Sequence, residues 1–300
     1  VELRHLRYFV SVAEELHFRR AAQKLHIAQP ALSKQISALE HELGVRLLDR
    51  DRRGVLLTEA GRVFLSEAVE VLARADGAVD RARAVVRGEV GRLAVGFIQP
   101  ALADLLPRSL RAFRRHHPGV VLSLSEETSR TALEGITDRS LQLAFVRLPV
   151  APRPELRTEV VSEEPVLLVV PRGHRLAERS SVRLEEVAGE EVILVGRSVE
   201  PGLHDYYVTA CNRAGFSPRV AHEVSSTSIA LGLVAGGLGI AFAPASARLA
   251  AQGTVAHVPL EDGDLTLTMG ALWRAGPRPA VLDNFLALRP WEDGDRPPVS

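Results

Sequence analysis

Gln29, Pro30, Ser33 and Lys34 place an amide, a rigid ring, a hydroxyl and an ammonium within a short stretch of chain. Amides and hydroxyls hydrogen-bond to base edges, and an ammonium attracts phosphate. Pro30 suits the opening of a helix, where its missing N–H costs nothing. From there Leu32, Ile36, Leu39 and Leu43 recur at helical spacing, and Ser33, Lys34, Ser37 and His41 fall on the other face. Arg20 to Leu25 reads as a shorter, alanine-rich helix, with Ile27-Ala28-Gln29 as the turn between. Two short helices, a tight turn, a buried stripe and a small polar face describe a helix-turn-helix. In that motif the second helix enters the major groove with its N-terminal residues foremost. A helical hairpin inside some other domain would show the same spacing. Three neighbouring features favour DNA. The polar face is short enough to let a helix approach phosphates and bases closely. Arg50, Arg52 and Arg53 follow at a turn. A long helix with a pairing seam comes next, and operator-binding proteins commonly dimerise.

The elements that must hold these residues can be read outward from them. Leu3, Leu6, Val10 and Ala13, with Phe9 and Val12, make a first helix beneath the hairpin. Gly44 ends the recognition helix, since glycine suits that position. Val45 to Leu57 reads as two short strands around Asp51-Arg52-Arg53-Gly54, a wing whose arginines can reach phosphates or a narrow minor groove. A solvated charged turn is the plainer alternative. Thr58 is a candidate N-cap, and no proline interrupts Glu59 to Arg87. There Phe64, Ala68, Val71, Ala75, Ala78, Ala82 and Val85 step by four and three, flanked by Leu65, Leu72, Val79 and Val86. This heptad seam with small residues predicts a dimerisation helix; a helix packed on its own chain is the alternative.

Gly88 and Gly91 mark a break, after which strands and helices alternate. Strands are expected at Leu93 to Phe97, Val120 to Leu124, Leu141 to Val146, Val166 to Val170, Val192 to Val195, Ile240 to Ala243 and Leu265 to Ala271, with a helix from about Asp104 to His116. Such runs imply parallel sheets covered on both faces, in two α/β lobes with a cleft between them. Ligands bind at the strand C-terminal ends of such sheets. The expected division is a winged helix-turn-helix over 1–58, a linker and dimerisation helix over 59–88, and an effector-binding region over 89–300. Within that region the first lobe takes about 91–161 and 267–300, and the second about 162–266.

Composition narrows the function. The 300 residues are 46% hydrophobic and 25% charged, as in a soluble globular protein. Lys+Arg and Asp+Glu are both 37, which excludes a generally sticky polycation, so any basic surface is local. From Arg19 to Arg53 there are eight basic and four acidic residues, a local +4. Cys211 is the single cysteine, so no intramolecular disulfide forms; a buried inert thiol in a reducing compartment is expected. With no signal-like or membrane-spanning run, a cytoplasmic location is expected. Gly236-Gly237-Leu238-Gly239 fails as a dinucleotide loop, because it follows a helix and precedes a strand. No phosphate-binding loop, Cys/His metal spacing or Gly-x-Ser-x-Gly elbow is present. No catalytic residue, metal or cofactor is therefore expected. A solute-binding protein would share the lobes but not the first ninety residues, and an α/β enzyme would need a nucleophile or metal set.

Leu6-Arg7-Tyr8-Phe9, Phe18, Ala21-Ala22, Leu25, Gln29-Pro30-Ala31-Leu32-Ser33, Ile36, Leu39-Glu40, Leu43-Gly44, Leu47-Leu48 and Leu57-Thr58-Glu59-Ala60-Gly61 together resemble the LysR-type transcriptional regulators. Leu105-Leu106-Pro107, Phe145-Val146-Arg147 and Leu231 to Gly239 extend the resemblance into the family's effector domain, most like the branch controlling aromatic-compound degradation. The resemblance implies a winged helix-turn-helix, a linker helix and two lobes like those of type 2 periplasmic binding proteins. It implies a homotetramer, a dimer of dimers, on double-stranded promoter DNA, with RNA polymerase as a possible partner and a small-molecule co-inducer in the cleft. By position Gln29, Pro30, Ser33 and Lys34 meet the major groove, and Arg50, Arg52 and Arg53 fall on the wing. Lys34 keeps phosphate attraction without the bidentate fork of an arginine. In the cleft the corresponding positions are Gln99, Pro100, Thr128 and Ser129, with Arg147 as a cation for an acidic ligand or as a bridge between lobes. Pro100 offers neither hydroxyl nor N–H, unlike the small hydroxyl residue often found there. Thr227, with Ser226, begins a helix whose N-terminus favours an anion.

Overall fold

The N-terminal apolar periodicities close into a three-helix core, α1 (Leu3–Glu15), α2 (Phe18–Lys24) and α3 (Gln29–Leu43). Phe9, Val12, Phe18, Ala21, Leu32, Ile36 and Leu39 are buried together there. The first turn of α3 carries Pro30 one residue inside the helix, and Gly44 closes it with φ 69°, a conformation that glycine adopts without strain. The wing follows as an antiparallel pair, β1 (Leu48–Asp51) and β2 (Gly54–Leu57), with Arg50 opposite Val55. The structure, a computed structural model, describes residues 1–51, 54–249, 253–261, 265–289 and 291–292. Arg52 and Arg53, expected on the wing tip, lie outside the described residues.

Thr58 caps the long helix α4 (Glu59–Val86), its hydroxyl oxygen accepting from Gly61 N at 2.8 Å. Gly61 sits where the helix meets the chain before the wing: a Cβ there would come within 2.0 Å of the Leu47 carbonyl oxygen. Phe64 packs edge-on against Phe9 at 5.2 Å, and Ala68 is buried with them. Farther along, Val71, Val79, Val85 and Val86 are exposed on this chain. The chain divides into two compact units, Val1–Ala84 and Val85–Ser300.

The second unit is built on one continuous sheet of nine strands among the described residues. They are β3 (Val90–Phe97), β4 (Gly119–Glu126), β5 (Leu143–Leu148), β6 (Leu156–Pro171), β7 (Glu191–Val195), β8 (Arg219–Val224), β9 (Ile240–Pro244), β10 (Val255–Pro259) and β11 (Thr266–Arg274). Their order is β4-β3-β5-β11-β6-β9-β7-β8, with β10 on the far part of β6. Helices α5 (Leu105–His116), α6 (Ser129–Asp138), α7 (Pro201–Arg213), α8 (Thr227–Ala235) and α9 (Ala280–Ala287) pack against it. The expectation of parallel sheets needs correction: β4, β3 and β5 run parallel, as do β8, β7 and β9, but β11 is antiparallel to β5 and β6, and β6 to β9 and β10. The reason is topological. The chain leaves the first lobe along β6 and returns along β11, so the two crossing strands must oppose each other.

Those crossings separate two cores. One gathers Leu93, Val95, Phe113, Leu143, Phe145, Val161, Met269 and Phe285; the other gathers Val166, Leu168, Val192, Leu194, Tyr207, Cys211, Phe242 and Leu267. Beyond the expected Val166 to Val170, β6 runs back to Leu156, and β8 and β10 were not anticipated. The early half of β6 and most of β8 are exposed on one or both faces, so they lack the apolar runs that mark a buried strand. Gly236 to Gly239 is a turn between α8 and β9, where Gly239 (φ 142°) brings the backbone against the Glu191 carbonyl. No described helix is long and apolar enough to cross a membrane.

Candidate functional site

Two groups of side chains stand out, one in each unit. In the first, Gln29 and Pro30 lie exposed at the start of α3, Lys34 is exposed beside them and Ser33 is half-buried. The apolar stripe of α3 faces α1 and α2, so these four are what the helix start presents outward. Arg50 is not splayed away from them. Its guanidinium lies 4.6 Å from the centre of the Phe18 ring, and it donates to Ser33 Oγ at 3.1 Å and to Ser37 Oγ at 3.5 Å. An arginine face-on to an aromatic ring is held by the ring's negative face.

Glu40 completes the arrangement. Its Oε1 accepts from the backbone N–H groups of Leu47 at 2.8 Å and Leu48 at 3.0 Å, and its Oε2 lies 3.9 Å from Arg50. One carboxylate on α3 therefore fixes where the wing begins. Two backbone donors to a charged acceptor make stronger bonds than a neutral pair. Sequence reasoning found Ser33 and Arg50 separately but not their contact, nor the parts played by Phe18 and Glu40. The capping and turn rules are local, whereas Arg50 lies 17 residues from Ser33 and 13 from Ser37 and meets them only through wing register.

In the second unit the expected positions cluster around the two lobe crossings. Gln99 and Pro100 form a short 3-10 turn after β3, and Gln99 Nε2 donates to Ser228 Oγ on α8, beside Thr227. Thr128 caps α6, accepting from Thr131 N at 3.1 Å. Ser129 accepts from Arg147 N at 3.2 Å and gives its own N–H to Glu200 at 3.2 Å. Thr227 is the first residue of α8, whose cap is Ser226. Gln99 and Ser129 are thus tied to the opposite lobe, by Ser228 and Glu200.

Arg147 is the charged centre of this cluster. It is only 9% exposed, and its Nη1 lies 3.9 Å from Glu164 on β6, too far for a hydrogen bond, and has no other hydrogen-bond partner among the described residues. Burial lowers its pKa, while Tyr207, Glu164 and Glu200 oppose that shift. The Tyr207 hydroxyl and Ser246 Oγ are also buried without hydrogen-bond partners among the described residues. Burial raises the Tyr207 pKa, so it stays a neutral donor. Glu164, Glu200, Tyr207 and Ser246 were not singled out from the sequence; each sits among ordinary strand or helix residues and acquires its neighbours only through the fold. A groove of about 850 Å³ opens beside Arg147, walled by Leu203, Tyr206, Thr209, Arg213 and Thr266. Of the six expected effector positions only Arg147 lines it. Among the described residues no group of three His, Cys, Asp or Glu side chains is placed to hold a metal.

Comparison with known proteins covers both units. Residues 3–62 match the bacterial regulatory helix-turn-helix protein, lysR family, and residues 87–289 match the LysR substrate binding domain. YnfL of Escherichia coli (strain K12), described as an uncharacterized HTH-type transcriptional regulator, is 38% identical over 91% of this chain and 92% of its own length. The HTH-type transcriptional regulator BenM of Acinetobacter baylyi is 34% identical over 88% of this chain and 87% of its own. The full-length crystal structure of CbnR in complex with its target DNA is similar with a TM-score of 0.84 and 30% identity, covering 97% of this chain and all of that one.

Proposed function

This chain belongs to the LysR family of transcriptional regulators, and on that premise we propose that a small acidic or aromatic-derived effector, held between its lobes, controls how it binds a promoter. The family makes it a DNA-binding regulator with an effector domain, not an enzyme. The effector class is carried by one observation: Arg147, buried between the lobes, keeps a donor without a hydrogen-bond partner. A carboxylate offered to that guanidinium would gain a charge-assisted bond. Gln99, Pro100, Thr128, Ser129 and Thr227 do not wall the groove beside Arg147, so in this proposal they bear on the effector through the contacts that tie the lobes together. Ser129 supports this, because its hydroxyl accepts from Arg147 N and so can still donate to an anion.

In this proposal Gln29, Pro30, Ser33 and Lys34 enter the major groove, and Arg52 and Arg53 carry the wing to the backbone. The exposed valines of α4 meet a second copy, and two such dimers form the tetramer on adjacent sites. Acting on a promoter sets the protein in the cytoplasm and gives it RNA polymerase as a neighbour. Effector binding favours one lobe arrangement, and the two DNA sites are coupled through it. The resemblance to the branch controlling aromatic-compound degradation makes aromatic acids and muconates the first compounds to try. The test is footprinting of the chain's own upstream region with that panel. A compound that alters the footprint of the wild type, but not of Arg147→Ala, is the expected result. A response unchanged in Arg147→Ala would leave Arg147 a bridge between the lobes and remove it from the ligand site.

A further inference from the structure

The contact between the wing and the recognition helix has a polarity. Arg50 Nη1 donates to Ser33 Oγ at 3.1 Å. A guanidinium has donors and no acceptor, so toward Arg50 the hydroxyl accepts through one lone pair, which leaves its single hydrogen and one lone pair to point elsewhere. Ser33 is half-buried at the start of α3, off the stripe of Leu32, Ile36 and Leu39 that packs inward. Serine is ordinarily permissive on DNA, because a free hydroxyl can donate or accept as the base requires.

We propose that Arg50 biases the hydrogen-bonding sense of Ser33: by drawing on the oxygen it makes the O–H the stronger donor and the remaining lone pair the weaker acceptor, so the Ser33 hydroxyl reads base-edge acceptors in preference to base-edge donors. The acceptors of the major groove are guanine N7 and O6, adenine N7 and thymine O4; the donors are cytosine N4 and adenine N6. This rests on the reading of α3 as the helix that enters the groove. Arg50 is a positioning residue: it acts through Ser33 and touches no base.

Three further contacts hold Arg50 to that task. The Phe18 ring beneath it is buried in the helical core and cannot follow a moving side chain. Ser37, one turn along α3, accepts a second N–H at 3.5 Å. Glu40 stands 3.9 Å away and is itself pinned by the N–H groups of Leu47 and Leu48. Swinging Arg50 out to a phosphate would give up all of these for one exposed charge contact. The planar fork matters, since lysine cannot lie flat on Phe18 while reaching two hydroxyls.

The test uses the full chain and a pool of random-sequence duplexes. The wild type is compared with Arg50→Met, which keeps an apolar stem over Phe18, and with Ser33→Ala and the double variant. Arg50→Met is expected to relax the preference at one base pair of each half-site by about three- to tenfold, the worth of one hydrogen bond. Its slope of binding against salt is expected to match the wild type. Ser33→Ala should relax the same base pair, and adding Arg50→Met to it should relax that pair no further, because both act through one oxygen. Arg50→Lys keeps a single donor for Ser33 but loses the fork, so it should retain only part of the preference, less than wild type and more than Arg50→Met; it covers the case in which Arg50→Met fails to fold. Equal weakening on all duplexes, with the slope reduced by about one, would make Arg50 a phosphate contact and overturn the proposal. Additive losses in the double variant would overturn it too. A wild-type chain that enriches no duplex would instead sink the DNA reading itself, a separate result.

Discussion

At the scale of single residues, one guanidinium organises the surface at the start of α3: Arg50 lies over Phe18 and donates to Ser33 and Ser37. Gln29, Pro30, Ser33 and Lys34 follow from helix periodicity and a proline start, because those rules involve neighbours a few positions apart. That Arg50 turns back to Ser33 follows from pairing Arg50 with Val55 across the wing, which no spacing along the chain reveals. Cys211 is a case where burial, the larger cause, outweighs a backbone hydrogen bond that works the other way. It sits in the second core, and burial pushes its thiol up to about 11. Because the folded value lies above the ordinary thiol value of 9.0, the stability this group contributes is intact below about pH 9 and lost as pH climbs through 11. Wild type should lose stability over that window more steeply than Cys211→Ala, measured as urea midpoints. At pH 8 the folded protein should resist iodoacetamide and react only after denaturation; fast alkylation of the native protein would contradict the buried thiol.

At the scale of elements, the wing depends on a single acid of the recognition helix. Two short strands joined by a tip have little burial of their own, so their place is fixed by Leu47 and Leu48 and by the Glu40 carboxylate that accepts from both N–H groups. Glu40→Ala would leave two half-buried donors facing a void. It should destabilise the first unit by about 1–3 kcal/mol, read by denaturant unfolding. Glu40→Gln keeps an acceptor oxygen and should recover part of the loss. Equal stability of Glu40→Ala and wild type would show that the strand pair stands without it. The missed strands belong to the same scale. An exposed strand such as β8 is held by ladder bonds to β7, and these leave little trace in hydropathy.

At the scale of the whole molecule, what could be anticipated was the order of parts, and what could not was how the sheet runs. Helical hairpin, wing, long helix and alternating α/β region all follow from composition shifts and periods. The reversal of β11 and β6 does not, because strand direction depends on where the chain returns. The α4 seam makes a prediction at this scale. Val71 and Val79 are exposed on one chain, so Val79→Asp should shift the sedimenting species toward smaller oligomers and weaken operator binding together. An oligomer unaffected by that charge would place the contact between copies elsewhere. The two lobes, finally, hang from β6 and β11, each one unbroken strand that contributes to both cores. Extended chain has no slack to take up, so the halves can twist like the ends of a ribbon but cannot slide apart. A ligand wedged on one side of that ribbon must therefore turn one half against the other, a torque delivered about an axis that the fold has already chosen.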